Sequence, residues 1–239
     1  MSGILLNALA IFVAGIAGLT LRRPMSAASQ SALKILLGAF TVYVGLSLTW
    51  QGLNGSFGQV LKQLAIVVGA LMLGNVTGKV IRLQRGINHL GHHAKEQYVH
   101  ARPEAPGHFG NGFVTCTILF CAAPLAVFGP VQEALTGDWR PLAVKAVMDG
   151  LATLAFVGVF GSGVMLSVVP VVAFQGLVWL GVRVLQPVLA QHALLDSVTA
   201  TNGLLVFCVA LIVFEIKKVS LADYLPSLAF APLLTWLLA

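Results

Sequence analysis

The chain of 239 residues is far more apolar than a soluble globular domain: 58% of its residues are hydrophobic, 9% are charged, and its mean hydropathy is +0.91. Soluble domains carry about 25% charged residues, so these values exclude that class. The net charge of +6 lies mostly in short connections between apolar runs. It therefore indicates membrane topology and predicts no nucleic-acid partner.

Eight apolar runs are long enough, or nearly so, to cross a hydrocarbon core of about 30 Å. The sequence thus predicts an all-α fold, a polytopic membrane helix bundle of about eight transmembrane helices, with membrane lipid as a partner. Spans five and six are separated only by Gly161, Ser162 and Gly163, so this pair can also form a broken or re-entrant element. The predicted spans cover residues 4–21, 34–52, 62–81, 113–132, 142–160, 163–183, 198–215 and 223–239.

These spans fall into four predicted segments. Residues 1–82 form an N-terminal three-span unit, and residues 83–111 form a basic, histidine-rich cytoplasmic loop. Residues 112–162 contain the central spans four and five, and residues 163–239 form a C-terminal three-span unit.

Glycine and proline positions suggest that the first three spans recur as the last three. Pro24 and Pro187 are 163 residues apart, and Gly38 and Gly203 are 165 residues apart. A shift of five spans inverts the second copy, and inverted repeats are common in secondary transporters. The alternative is that residues frequent in membrane helices coincide by chance.

Span three carries small residues at Ala70, Gly74 and Gly78, which are four residues apart and therefore share one helix face. Such a stripe allows two helices to approach closely, so it predicts a tight contact of span three with another span. The same stripe can also join two copies of the chain. Because closed two-fold assemblies are common, we expect a homo-oligomer, most simply a homodimer.

The segment at residues 83–111 contains five histidines. Histidines at helical spacing can bind a metal, and one hypothesis is a metal site on one helical turn. Since no cysteine or carboxylate stands at ligand spacing, the preferred interpretation is a solvated basic loop near anionic headgroups, and no metal site is predicted. The histidines are His89, His92, His93, His100 and His108.

Spans four and five hold residues that a membrane penalises. Pro124 and Pro130 interrupt span four and free main-chain carbonyls that need other partners. Lys145 and Asp149 are four residues apart in span five, on one helical face. Ionised side chains inside a bilayer face a partner or a wet cavity, so this pair is the leading candidate for a solute or ion site. The alternative is a self-neutralising structural ion pair near the entry of the span, where Lys145 lies only a turn from Pro141 and could snorkel.

Basic residues are distributed unevenly between the two sides of the predicted bundle. Ten of the 14 follow odd-numbered spans, so the positive-inside rule makes those connections cytoplasmic and places both termini outside. The ten are Arg22, Arg23, Lys34, Lys79, Arg82, Arg85, Lys95, Arg102, Lys217 and Lys218.

The central segment also resembles a known family. It reads LFCAAPLAVFG, then Gly137-Asp138, then LAVKAVMDGLA and GSGVMLSVVPVVAFQG. This order is similar to that of the bacterial membrane family filed as domain of unknown function 554. The terminal segments GILLNALAIFVAGIAGL and TNGLLVFCVALIVFEIKKVSLADYLPSL fit the same pattern, so the resemblance covers nearly the whole chain apart from the histidine-rich loop. It implies an integral inner-membrane protein that is a candidate transporter with no assigned substrate.

Family-like polar positions in or near the spans complete the candidate solute- or ion-binding set. Gln175 lies within span six and needs partners for its amide, which a ligand or an interhelical hydrogen bond can supply. Asn7 and Asn202 open their spans and can equally be helix caps. The set comprises Asn7, Pro124, Glu133, Lys145, Asp149, Ser162, Gln175 and Asn202.

Three classes of function remain, of which transport is preferred. An ion-coupled secondary transporter of a small solute or ion fits the repeat, the broken span and the intramembrane charges. A passive channel is one alternative, although no filter or acidic ring is recognisable. A membrane-embedded assembly or structural protein is the other. Because the sequence has no catalytic motif, phosphate-binding loop or dinucleotide fingerprint, we expect neither enzyme activity nor a cofactor.

Overall fold

The computed structural model describes residues 1–21, 27–100, 108–191 and 194–238, and within these ranges every regular element is a helix. The all-α prediction is therefore confirmed. The predicted turn at Pro24 and the basic residues Arg22, Arg23 and Arg102 lie outside the described residues. The α-helices are α1 Ser2–Leu21, α2 Ala27–Gln51, α3 Phe57–Ile81, α4 Leu83–His100, α5 His108–Ala122, α6 Leu125–Thr136, α7 Arg140–Phe160, α8 Val168–Gln191, α9 Leu195–Val213 and α10 Ser227–Leu238.

Among the described residues, six helical stretches are long and apolar enough to cross a membrane, and α5 with α6 makes a seventh if that bent pair is one span. The membrane class is therefore confirmed. One of the six stretches, Arg140–Ala190, has 51 residues. At about 1.5 Å per residue it is more than twice as long as a single crossing requires. The count of eight spans stays a prediction that depends on this stretch crossing twice.

The contacts divide the chain into two compact units, and the first contains Met1–Ala32, Ile87–Glu133 and Trp139–Trp179. In this unit α1 runs parallel to α7. A Cβ atom added at Gly3 would lie 2.8 Å from the side chain of Leu142, and one at Gly18 would lie 3.4 Å from Val157 Cβ. The small residues of α1 therefore bring the two helices close along their length.

The 3-10 helix Gly161–Ser167 and helix α8 run back along α1 in the opposite direction. Gly15 of α1 faces the side chain of Met165. A Cβ atom added at Gly176 of α8 would lie 3.9 Å from the terminal methyl group of Met1. Helices α7 and α8 are therefore antiparallel within this unit, and the chain reverses between them. This reversal is the geometry expected if spans five and six each cross the membrane.

The second unit contains Leu33–Gly86, Ala134–Asp138 and Leu180–Ala239, and in it α2 is antiparallel to α9. Gly38 lies against the ring of Phe214, and Gly203 lies against the main chain of Thr49. Both contacts belong to one antiparallel helix pair, and the repeat of the first three spans as the last three stays a prediction.

The small-residue stripe of α3 contacts the segment that leads into α10. A Cβ atom added at Gly74 would lie 2.5 Å from the main-chain nitrogen of Ser227, and one at Gly78 would meet the main chain of Asp223. The predicted tight contact of span three is therefore confirmed. Since the chain itself occupies this stripe, the expected homodimer has no support from it and stays a prediction.

The histidine-rich connection contains a helix that was not predicted, α4, over residues 83–100, and its cytoplasmic location stays a prediction. Asp223 Oδ1 accepts a hydrogen bond from the main-chain nitrogen of Gln84 at 2.9 Å, which caps the first turn of α4. Within that helix His92 Nδ1 lies 3.3 Å from Glu96 Oε1, so a carboxylate does stand at helical spacing from a histidine. Among the described residues, no group of three His, Cys, Asp or Glu side chains is placed to hold a metal.

Candidate functional site

Span four is broken at Pro124, as predicted. Helix α5 ends at Ala122 and α6 begins at Leu125, with a bend of 55° between them. Pro130 lies inside α6, so the prediction that it also interrupts the span is wrong. A proline that starts or sits in a helix leaves the carbonyl four residues earlier without its usual N–H donor. For Pro124 that carbonyl belongs to Phe120.

Lys145 supplies a hydrogen-bond donor to the Phe120 carbonyl, in place of the main-chain N–H that Pro124 lacks. Its Nζ donates a hydrogen bond of 2.8 Å to the Phe120 carbonyl oxygen and a second of 2.7 Å to Asp149 Oδ2. The side chain of Lys145 is 1% exposed and that of Asp149 is 7% exposed. Lys145 therefore does not snorkel, because its ammonium group is held inside the unit between a carboxylate and a main-chain carbonyl. A self-neutralising structural ion pair stays the alternative to a solute or ion site.

Asn7 is a third side chain of this site. It lies five residues after the start of α1 and is fully buried, so its interpretation as a helix cap is wrong. Its Nδ2 donates a hydrogen bond of 3.1 Å to Asp149 Oδ2. We call Asn7, Lys145, Asp149 and the Phe120 carbonyl the Asp149 cluster. It joins α1, the end of α5 and α7.

The Asp149 cluster contains polar groups that need one another. Within a low-dielectric interior an unpaired charge is far more costly than a neutral polar group. Asp149 receives two donors, and Lys145 gives two of its three N–H groups. Loss of the Lys145 ammonium therefore leaves the Phe120 carbonyl without this donor, and loss of the Asp149 carboxylate leaves Asn7 Nδ2 without an acceptor.

Glu133, another member of the candidate set, binds the beginning of α1. Its Oε1 accepts hydrogen bonds from Ser2 Oγ at 3.0 Å and from Gly3 N at 2.9 Å, and the Met1 ammonium lies 3.1 Å away. A carboxylate at a helix N-terminus satisfies free N–H groups and complements the helix dipole. Glu133 thus positions the helix that carries Asn7.

We expect Glu133→Gln to lower the free energy of unfolding by about 1 to 2 kcal/mol, because hydrogen bonds to a charged acceptor weaken when it becomes neutral. Thermal unfolding in detergent measures the effect. Glu96→Gln, which changes an exposed carboxylate on α4, is the control and should leave the unfolding temperature unchanged. Unaltered stability of Glu133→Gln together with lost activity would contradict this structural role.

The remaining candidates do not join the Asp149 cluster. Ser162 is exposed in the 3-10 helix, and Asn202 lies in α9, in the second unit, seven residues after the helix begins, so it is not a cap. Gln175 is fully buried in α8, and neither polar atom of its amide has a hydrogen-bond partner among the described residues. The interhelical hydrogen bond considered for Gln175 is therefore absent from this part of the chain.

A second lysine–carboxylate pair lies at the surface and serves as a comparison. Lys34 Nζ donates to Glu215 Oε1, and the two side chains are 57% and 73% exposed. The hydrogen bond from Lys34 and its positive charge hold the pKa of Glu215 below its usual value. This pair has the same chemistry as Lys145 and Asp149 without their burial.

The helices and the Asp149 cluster define a polytopic α-helical membrane protein with a buried ion pair beside a broken helix. The chain belongs to the family described as Protein of unknown function (DUF554), whose model matches residues 2–236. The resemblance predicted from the central motifs is thereby confirmed.

Two relatives match along almost their whole length. An uncharacterized membrane protein, YdfK, of Bacillus subtilis (strain 168) is 24% identical over 238 residues, which is 100% of this chain and 97% of the relative. An uncharacterized protein, YqgA, of Escherichia coli (strain K12) is 26% identical over 232 residues, covering 96% of this chain and 94% of the relative. No solved structure matches.

Proposed function

We propose that this protein is an ion-coupled secondary transporter of a small solute or ion in the bacterial inner membrane. The observation that carries the proposal is the buried ammonium of Lys145, held between Asp149 and the carbonyl that Pro124 leaves free. Ionisable residues inside membrane proteins mark solute and proton pathways, and broken helices line their binding sites. A pair that only neutralised itself would need no broken helix beside it.

The Asp149 cluster can convert a change of charge into a change of contacts. When a proton or a cation neutralises Asp149, its attraction for Lys145 weakens while the Phe120 carbonyl continues to accept from the ammonium. The hydrogen bonds that Asp149 accepts from Lys145 and from Asn7 of α1 therefore differ in strength between its charged and neutral forms. A two-state element of this kind is what couples an ion to alternating access.

The predicted inverted repeat supports the same proposal. Helices α2 and α9 are the second spans of the two predicted copies, and they run antiparallel, as inverted copies do. The antiparallel α7 and α8 support eight crossings, which an inverted three-span repeat requires. Transporters built in this way place their sites on interrupted helices near the membrane midplane.

The experiment is a flux screen in proteoliposomes that enclose a pH-sensitive dye. A panel of amino acids, sugars and alkali-metal salts is added outside, and the transporter proposal predicts a saturable pH change with at least one of them. Liposomes with the surface-pair variant Lys34→Met/Glu215→Gln should give the same response. Single-channel currents in planar bilayers would instead favour a passive channel, and neither flux nor current with any solute would favour an assembly or structural protein.

We further propose that both termini lie on the periplasmic side, because most basic residues follow odd-numbered spans. Reporter fusions at the two ends test this orientation. We expect alkaline phosphatase to be active and green fluorescent protein dark at both ends. A fluorescent C-terminal fusion with a dark N-terminal one would contradict it and would mean an odd number of crossings.

A further inference from the structure

A cavity of about 280 Å³ lies in the second unit, between α3, α9 and the segment that leads into α10. Leu205 and Leu221 on its wall are buried, whereas Val68 and Met72 on its wall are exposed. Both exposed residues lie in the middle of an apolar helix that is long enough to cross a membrane. The cavity therefore opens toward lipid tails, and a ligand reaches it from the bilayer.

Asn75 gives this cavity a hydrogen-bonding group. It lies three residues after Met72 and four after Leu71, so the three side chains share the face of α3 that lines the cavity. Gly74 and Gly78 lie on a different face, against the segment that leads into α10. Asn75 Oδ1 is buried and has no hydrogen-bond partner among the described residues. This acceptor is therefore available to a molecule in the cavity.

The lining of the cavity excludes several kinds of ligand. None of the described residues that line it carries a charge, so a bound ion would have no counter-charge in an apolar setting. A lipid acyl chain would fill the volume but has no donor, and it would leave Asn75 Oδ1 unpaired in a low-dielectric interior. A mostly apolar molecule with one N–H or O–H donor satisfies both the lining and the acceptor.

The size of the cavity and two of its side chains narrow the ligand further. Its volume of about 280 Å³ is close to the lower bound of about 300 Å³ for small-molecule pockets. Met72 and Tyr224 both line it, and a thioether sulfur and an aromatic ring each make favourable contacts with a second ring. A molecule of one or two aromatic rings therefore fits best.

We propose that this cavity binds a small, neutral, aromatic molecule with one N–H or O–H group, which enters from the bilayer and donates a hydrogen bond to Asn75 Oδ1. The cavity lies in the second unit and contains no member of the Asp149 cluster. The inference is therefore independent of the proposed transport function, and its test needs no flux.

The test uses three probes of one shape that differ in a single hydrogen-bonding group. Indole carries an N–H donor, benzofuran has an oxygen acceptor in the same place, and indene has neither. Thermal unfolding is measured in nanodiscs of one lipid for the wild-type chain and for Asn75→Leu, which keeps the side-chain size and removes the acceptor. Cys208→Phe places a ring in the cavity. Val76→Phe is its control, because Val76 is exposed on α3 and is not part of the lining.

We expect indole to raise the unfolding temperature of the wild-type chain saturably, by about 3 to 5 °C at a tenfold excess of free probe over Kd. Benzofuran and indene should bind about fivefold more weakly, because neither donates a hydrogen bond to Asn75 Oδ1. Asn75→Leu should bind the three probes alike. Cys208→Phe should lose the indole shift, and Val76→Phe should keep it.

Several results would overturn the inference. Equal shifts of the wild-type chain with indole and indene would leave an apolar groove that only lipid tails fill. Tighter binding of benzofuran than of indole would mean that the amide presents its Nδ2 to the cavity. An indole shift that survives Cys208→Phe, or no saturable shift with any probe, would also refute it. If either cavity variant does not fold, the comparison of the three probes on the wild-type chain decides.

Discussion

Asp149→Asn and Lys145→Met are each expected to lower the free energy of unfolding by about 3 to 5 kcal/mol, because each leaves its partner as an unpaired buried charge. The double variant should recover most of this loss. It should remain about 1 to 3 kcal/mol less stable than the wild type, since the Phe120 carbonyl and Asn7 Nδ2 lose their charged partners. Chemical or thermal unfolding in detergent gives all three values.

The exposed pair of Lys34 and Glu215 shows how much of the stability loss comes from burial and how much from removing a charge. Lys34→Met, Glu215→Gln and their combination change the same chemical groups at the ends of the predicted spans, where both side chains are more than half exposed. No buried charge loses its partner there, so the unfolding temperatures should stay at the wild-type value. Equal stability losses at the two pairs would contradict the account. So would a double variant of Lys145 and Asp149 that is less stable than both single variants.

Gly78→Ala is expected to lower the free energy of unfolding by about 1 to 3 kcal/mol. The new methyl group would overlap the main chain of Asp223, with Asp223 Cα only 2.5 Å from the added Cβ atom. Backbone cannot move aside as a flexible side chain does, so α3 must separate from the segment that leads into α10. The shift also disturbs Asp223 Oδ1, which caps α4 through Gln84.

Gly58→Ala is the control on the same helix. Gly58 is exposed near the start of α3, and nothing lies within 4 Å of a Cβ atom added there. Alanine has the higher helix propensity, so this variant should match or slightly exceed the wild-type stability. A Gly78→Ala protein as stable as Gly58→Ala would show that the close contact at Asp223 is not required.

The helical membrane fold follows from local features that a sequence displays directly. Long apolar runs predict the spans, and Pro124 predicts the break because its effect reaches only four residues back. Lys145 and Asp149 are four residues apart, so the sequence also shows that they share a helical face. A proline alone does not always break a helix, since α6 continues through Pro130.

The rest of the Asp149 cluster depends on contacts between distant parts of the chain. Asn7 and Asp149 are 142 residues apart, and Glu133 and Gly3 are 130 apart, so no local pattern links them. The sequence could have predicted the Phe120 carbonyl as a free acceptor, because it lies four residues before Pro124. Nothing comparable in the sequence distinguishes Asn7 inside α1 from an asparagine cap.

Helix α4 was missed because its apolar positions are few. Six of its 18 residues are histidine or glycine, and four of these lie between His89 and His93, a composition that suggests a loop. Ala94 is nevertheless fully buried, and the first turn is capped by Asp223 from the other end of the chain. A distant cap and one buried side chain therefore favour the helix where composition does not.

The measurement that tests the central claim most directly is solute-driven proton movement by the double variant Lys145→Met/Asp149→Asn in proteoliposomes. The solute is the one that gives the wild-type response in the flux screen, and the surface-pair variant is the control. Our account predicts a folded double variant without flux, because the site that couples charge to alternating access is gone. Full flux from the double variant would contradict the account and leave Lys145 and Asp149 as a structural pair.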